Sequence, residues 1–109
     1  MKMEYAMDND LIMNKINNSI REVFKGYKGL YLYGSRAKHT EQPDSDYDIV
    51  FLLEKKITYK EKDPIYVIIC KLEYELDIFM DTHFLTQEEL ENDPFFYREV
   101  IKYGKFYVA

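Results

Sequence analysis

Five consecutive apolar residues, Ile49-Val50-Phe51-Leu52-Leu53, follow directly on the acidic run Asp44-Ser45-Asp46-Tyr47-Asp48. A segment apolar on both alternating sets reads as a strand covered on both faces, and so as a central strand of its sheet. Residues two apart share one face of a strand, so Asp46 and Asp48 present two carboxylates side by side. Asp48 runs straight into the buried strand, where an unpaired charge is expensive. Two adjacent carboxylates also repel each other unless a proton or cation intervenes. No Lys or Arg follows Asp48 before Lys55, so a hard divalent cation with oxygen ligands is the natural partner. Asp44 and Ser45 satisfy local backbone groups in the preceding turn.

A second feature lies just upstream. Gly34-Ser35 closes a short apolar segment, Leu30–Tyr33, and Ser35–Lys38 starts a short helix. Glycine lets a phosphate approach the backbone closely, and a helix start offers free N–H groups. Ser35 adds a hydroxyl donor, and Arg36 and Lys38 add positive charge. Gly-Ser alone is an ordinary strand-to-helix turn; beside a carboxylate pair it suggests Mg²⁺ with a nucleoside triphosphate.

A third carboxylate would complete a two-metal site. Leu76 to Leu85 reads as a third strand, which offers Asp77 and, four residues on and on the same face, Asp81. Asp77 is favoured by its apolar flanks, Leu76 and Ile78, which place it within the sheet. Asp81, beside Thr82 and His83, reads as a strand end. His83 caps that end or faces solvent.

The remaining elements fit around these strands. Asp8-Asn9-Asp10 can cap a first helix whose face carries Ile12, Ile16, Ile20, Val23 and Phe24, with Gly26 as its stop. Glu54 to Lys62 reads as a charged loop, and Asp63-Pro64 as the start of a helix striped by Ile65, Ile68, Ile69, Leu72 and Leu76. Cys70, next to Ile68 and Ile69, reads as an inert core thiol. Thr86-Gln87-Glu88-Glu89 is a capping box, Asp93-Pro94 opens a last helix striped by Phe96, Val100 and Tyr103, and Gly104 ends it. Phe106–Val108 adds an extended end.

The 109 residues amount to one domain, 1–109. A net charge of −5, with no run of Lys and Arg, argues against a nucleic-acid polymer as partner, while leaving room for a single nucleotide. The single cysteine, the lack of a transmembrane-length apolar run and the lack of a signal-peptide hydrophobic region point to a reducing, cytoplasmic setting without membrane attachment. The oligomeric state is left open.

Taken together, Gly34-Ser35, Asp46-Tyr47-Asp48 on a strand and Leu76-Asp77-Ile78 resemble the nucleotidyltransferase superfamily of DNA polymerase beta. The stretch Gly34-Ser35-Arg36-Ala37-Lys38…Thr40…Pro43-Asp44-Ser45-Asp46-Tyr47-Asp48 is closer still to the minimal nucleotidyltransferases (MNT), and the likeness extends to Phe96–Lys105. The resemblance implies an α/β (α+β) fold with a short mixed sheet and helices mainly on one face. It implies that Gly34 and Ser35 hold the triphosphate of ATP, beside the positive charge that Arg36 and Lys38 bring to the same turn. Asp46, Asp48 and Asp77 would hold two Mg²⁺ ions, and Asp77 would ligate the catalytic metal or activate the acceptor. The chain departs from the family at His39, where Gly is usual; a positive φ there is tolerated by His less well than by Gly, and a phosphate or acceptor contact is the other role open to it.

Many proteins of this type act as antitoxins beside a helical HEPN toxin. The resemblance therefore implies AMP transfer from ATP to a hydroxyl, a tyrosine of that partner. Two alternatives stand beside it: a toxin-binding module with weak or no catalysis, and a small-molecule nucleotidyltransferase.

Overall fold

The computed structural model describes residues 8–109; the first seven residues, which the expected domain span and the signal-peptide reading include, lie outside the described residues. Four strands form one mixed sheet in the order β3-β2-β1-β4. β1 is Tyr27–Tyr33, β2 Tyr47–Leu53, β3 Met80–Thr86 and β4 Lys105–Val108. β1 pairs antiparallel with both β2 and β4, and β2 pairs parallel with β3. This is the α/β fold with a short mixed sheet expected from the sequence, and β2 is central.

One face of the sheet is covered by two long helices, α1 (Asn9–Val23) and α3 (Tyr59–Leu76). Asp8 caps α1 by accepting from the Leu11 N–H at 2.9 Å. Ile12, Met13, Ile16 and Ile20 of α1 meet Ile65, Ile69 and Leu72 of α3 over Leu30, Leu32, Ile49, Phe51 and Leu53 of the strands. Each fully buried side chain of this kind contributes about 1.5–3 kcal/mol. Asn17, a buried polar side chain in α1, is satisfied three ways: it donates to the carbonyls of Tyr107 and Val108 and accepts from the Tyr27 hydroxyl. Those bonds fix α1 against both β1 and β4.

The opposite face is only partly covered. The short helices α4 (Gln87–Glu91) and α5 (Pro94–Tyr97), followed by a π-helical turn at Arg98–Lys102, lay Leu90 and Val100 over Val50, with Tyr31, Tyr33, Leu85 and Phe96 around them. Helices therefore occupy both faces, the long ones on one and short ones over part of the other. The remainder of this second face, near the start of β2, carries Asp48.

Several boundaries differ from the expectation. α3 begins four residues before Asp63, because Thr58 and Glu61 form a reciprocal capping box. Pro64 consequently lies inside the helix instead of opening it. The same helix runs on to Leu76 and ends at Asp77, a cap residue in the left-handed region at φ 55°. The third strand therefore starts at Met80, so Asp77 is not a strand residue. Cys70 is exposed, since it lies five residues after Ile65 and so turns away from the stripe formed by Ile65, Ile69 and Leu72. Tyr103 is also partly exposed at 40%, because the widened π turn rotates it off the Phe96–Val100 stripe. α1 ends at Val23, with Phe24 as its cap, and Gly26 makes the following turn at φ 83°.

Candidate active site

The register of β2 against β3 sets Asp48 directly beside Asp81. Both strands alternate their side chains, so Asp48 and Val50 share the open face with Asp81 and His83. Asp46 precedes β2 and is exposed. The carboxyl of Asp48 is held above the usual range, first by burial, then by the negative charges of Asp81 and Asp46; His83 opposes the shift.

Asp77, the favoured third carboxylate, sits elsewhere. It borders a hollow of about 420 Å³ with Ile12, Arg36, Ser45, Tyr47 and Phe79. Ile12 and Tyr47 belong to the helix-covered core, so this hollow opens on the other side of β2 from Asp48. The structure brings Asp81, not Asp77, to Asp48. The parallel pairing that does so depends on where α3 ends, and no glycine marks that point in the sequence.

Gly34 adopts φ 75° and ψ −153°, a region essentially reserved for glycine. Its α-hydrogen side faces Asp48: a Cβ there would overlap the Asp48 carboxylate, with Cγ at 3.0 Å. The Gly-Ser turn and the carboxylate are thus in direct contact. The short helix α2 (Ser35–Lys38) follows and ends at His39 in the left-handed region, φ 59°, the conformation in which Gly is easier than His. The turn is retained, with the His39 and Thr40 N–H groups both donating to the Ser35 carbonyl.

The two nearby cations are engaged within the fold. Arg36 donates to the Ser45 carbonyl at 2.9 Å and the Pro43 carbonyl at 3.4 Å, and stacks its guanidinium 4.2 Å over the Tyr47 ring. It braces the loop that delivers Asp46 and Asp48. Lys38 pairs with Glu99 of the π turn at 3.0 Å and lies 4.9 Å from the Tyr103 ring centre. Tyr33, opposite Asp48 in β1, has its hydroxyl pKa raised by burial and by the charges of Asp48 and Asp81.

Among the described residues, no three His, Cys, Asp or Glu side chains close into a ready-made metal cage. The arrangement is instead a repelling pair of hard oxygen donors, with Asp46 near and one side open. That fits Mg²⁺, which keeps several waters and takes one or two carboxylates together with substrate phosphates.

Residues 14–108 match the model of the polymerase beta nucleotidyltransferase family, and the chain belongs to that family. No curated protein matches it in sequence. A toxin–antitoxin crystal structure with AMP-PNP is 22% identical, with a TM-score of 0.64 covering 90% of this chain and 71% of that one. A structure of tri-AMPylated Shewanella oneidensis HEPN toxin in complex with MNT antitoxin is 23% identical, with a TM-score of 0.60 covering 89% and 69%. At such identities the likeness establishes a shared fold. Among the described residues no helix is long and apolar enough to cross a membrane.

Proposed function

We propose that this chain is a Mg²⁺-dependent nucleotidyltransferase that moves AMP from ATP to a hydroxyl of a partner protein, a tyrosine of a HEPN toxin, with release of pyrophosphate, and so serves as its antitoxin. The observation that carries the proposal is the Asp48–Asp81 carboxylate pair lying against the Gly34-Ser35 turn. The solved toxin–antitoxin relatives, one with AMP-PNP and one with an AMPylated toxin, support the nucleotide and the acceptor.

In this proposal Gly34 and Ser35 receive the triphosphate: the glycine removes the side chain that would keep phosphate from the backbone, and the Ser35 hydroxyl donates to a phosphate oxygen. Asp46, Asp48 and Asp81 hold the metal, with Asp81 in the role first assigned to Asp77. Bound Mg²⁺ supplies charge neutralisation at the triphosphate and activation of the attacking hydroxyl. Asp81, at the exposed edge of the pair, is placed to take up the acceptor's proton. Arg36 acts through the loop, orienting Asp46 and Asp48. Lys38 exchanges Glu99 for phosphate when the nucleotide arrives.

The toxin-binding module with little catalysis remains a second reading, favoured by the engagement of both Arg36 and Lys38 inside the fold. Incubation with Mg²⁺, a HEPN partner and ATP labelled at either the α or the γ phosphate separates the two. AMP transfer labels the partner from α-labelled ATP alone. A partner that is neutralised without label supports the binding module.

A further inference from the structure

His83 belongs to neither the packed core nor the residues given a role above, yet it is flanked by two aromatic rings. Its ring lies 5.2 Å from that of Phe96 at 64° and 6.5 Å from that of Tyr33, while Tyr33 and Phe96 meet edge-to-face at 5.3 Å. Two aromatic neighbours on different elements, β1 and α5, thus fix the imidazole plane. His83 shares the open face with Asp81, two residues earlier on β3, and its Nε2 stands 4.0 Å from Asp81 Oδ1. Asp81 has no other basic side chain within ion-pair distance among the described residues. Among the described residues, the exposed carboxylate at the sheet edge therefore has Asp48 on one side and, as its one basic neighbour, His83 on the other.

We propose that His83 is a positioning residue for the metal site: its imidazole, flanked by Tyr33 and Phe96, closes the 4.0 Å gap to Asp81 when a metal binds and holds that carboxylate turned toward Asp48. This rests on the assignment of Asp48 and Asp81 as metal-holding groups. Carboxylates that bind metals are themselves steadied by a hydrogen-bond donor behind them, and losing such a donor weakens metal binding by about 10–100-fold. The two flanking rings limit the directions in which the imidazole can turn.

The test is Mn²⁺ binding to the full chain without nucleotide, followed by electron paramagnetic resonance at fixed pH. His83→Phe keeps the ring and its packing but removes the N–H; His83→Gln restores a donor. The expected result is Mn²⁺ affinity reduced about tenfold in His83→Phe, substantial recovery in His83→Gln, and an unchanged melting temperature in EDTA for both. Should His83→Phe fail to fold, His83→Met carries the same comparison. Wild-type affinity in His83→Phe, with affinity lost in Asp81→Asn, would leave His83 as packing alone. Wild-type affinity in Asp81→Asn would remove the metal assignment itself, and the role of His83 with it.

Discussion

The carboxylate of Asp48 rests on the α-carbon of Gly34, so closely that any side chain at position 34 would occupy the same space. One residue shapes the turn and the other the charge, and a side chain added at position 34 would displace Asp48. Gly34→Ala meets two penalties: a backbone region essentially closed to other residues, costing about 1–3 kcal/mol, and displacement of Asp48. A lowered melting temperature and loss of AMP transfer are expected, and calorimetry with the labelled-ATP assay checks both.

Burial and neighbouring carboxylates disfavour the charged form of Asp48, and its pH dependence follows from the direction of that shift. The folded-state pKa lies above the ordinary value, because burial and the neighbouring Asp81 and Asp46 disfavour the charge. The folded state then binds the proton more tightly than the unfolded chain does. Its contribution to stability is present below the unfolded value of about 3.9 and is lost as pH rises through the folded pKa. In EDTA at neutral pH, Asp48→Asn should melt at or above the wild-type temperature, and that advantage should vanish toward pH 3. Melting curves across pH 3–8, with and without Mg²⁺, decide it. A large drop for Asp48→Asn in EDTA would mark Asp48 as a structural carboxylate.

The central strand and the Gly-Ser turn were legible because each rests on local chemistry. Ile49–Leu53 is apolar on both faces, and Gly34 alone can take its φ and ψ. The carboxylate that pairs across the strands with Asp48 was not, because its position depends on where α3 ends. Tyr74, Glu75 and Leu76 continue the helix, and Asp77 closes it in a left-handed conformation that Asp tolerates without a glycine to signal it. The capping box at Thr58-x-x-Glu61 was present in the sequence, and it outranks Asp63-Pro64 as a helix start. Cys70 could likewise have been placed outside by its offset from Ile65, Ile69 and Leu72. The pairing of Asp48 with Asp81 is a tertiary fact, set by parallel strand register, and local pattern does not encode it.

Arg36 is a brace before it is anything else. Arg36→Lys keeps the charge but cannot reach two carbonyls and the Tyr47 ring together. Loss of charged hydrogen bonds of this kind costs about 1.5–3 kcal/mol each at most; with partial exposure, about 1–2 kcal/mol is expected in total. Transfer should fall through a loosened loop bearing Asp46 and Asp48. Denaturant unfolding gives the stability change, and hydrogen exchange across residues 39–46 reports the loop.

Mg²⁺ and ATP should stabilise the chain together far more than ATP alone. A ligand at a hundred times its Kd adds about 2.7 kcal/mol, whereas triphosphate facing bare carboxylates is repelled. Thermal shift with ATP in Mg²⁺, compared with ATP in EDTA, measures this directly. Equal shifts would mean that no metal organises the site.

In the proposed function Asp81, brought to Asp48 by strand pairing, does the work the sequence assigned to Asp77. Label transfer from α-labelled ATP to a HEPN toxin, with Asp81→Asn and Asp77→Asn side by side, tests this most directly. Asp77→Asn should transfer like wild type and keep its stability within about 0.5 kcal/mol, since Asn accepts the left-handed cap at least as well as Asp. Asp81→Asn should fold and lose transfer. Transfer retained in Asp81→Asn and lost in Asp77→Asn would contradict the account.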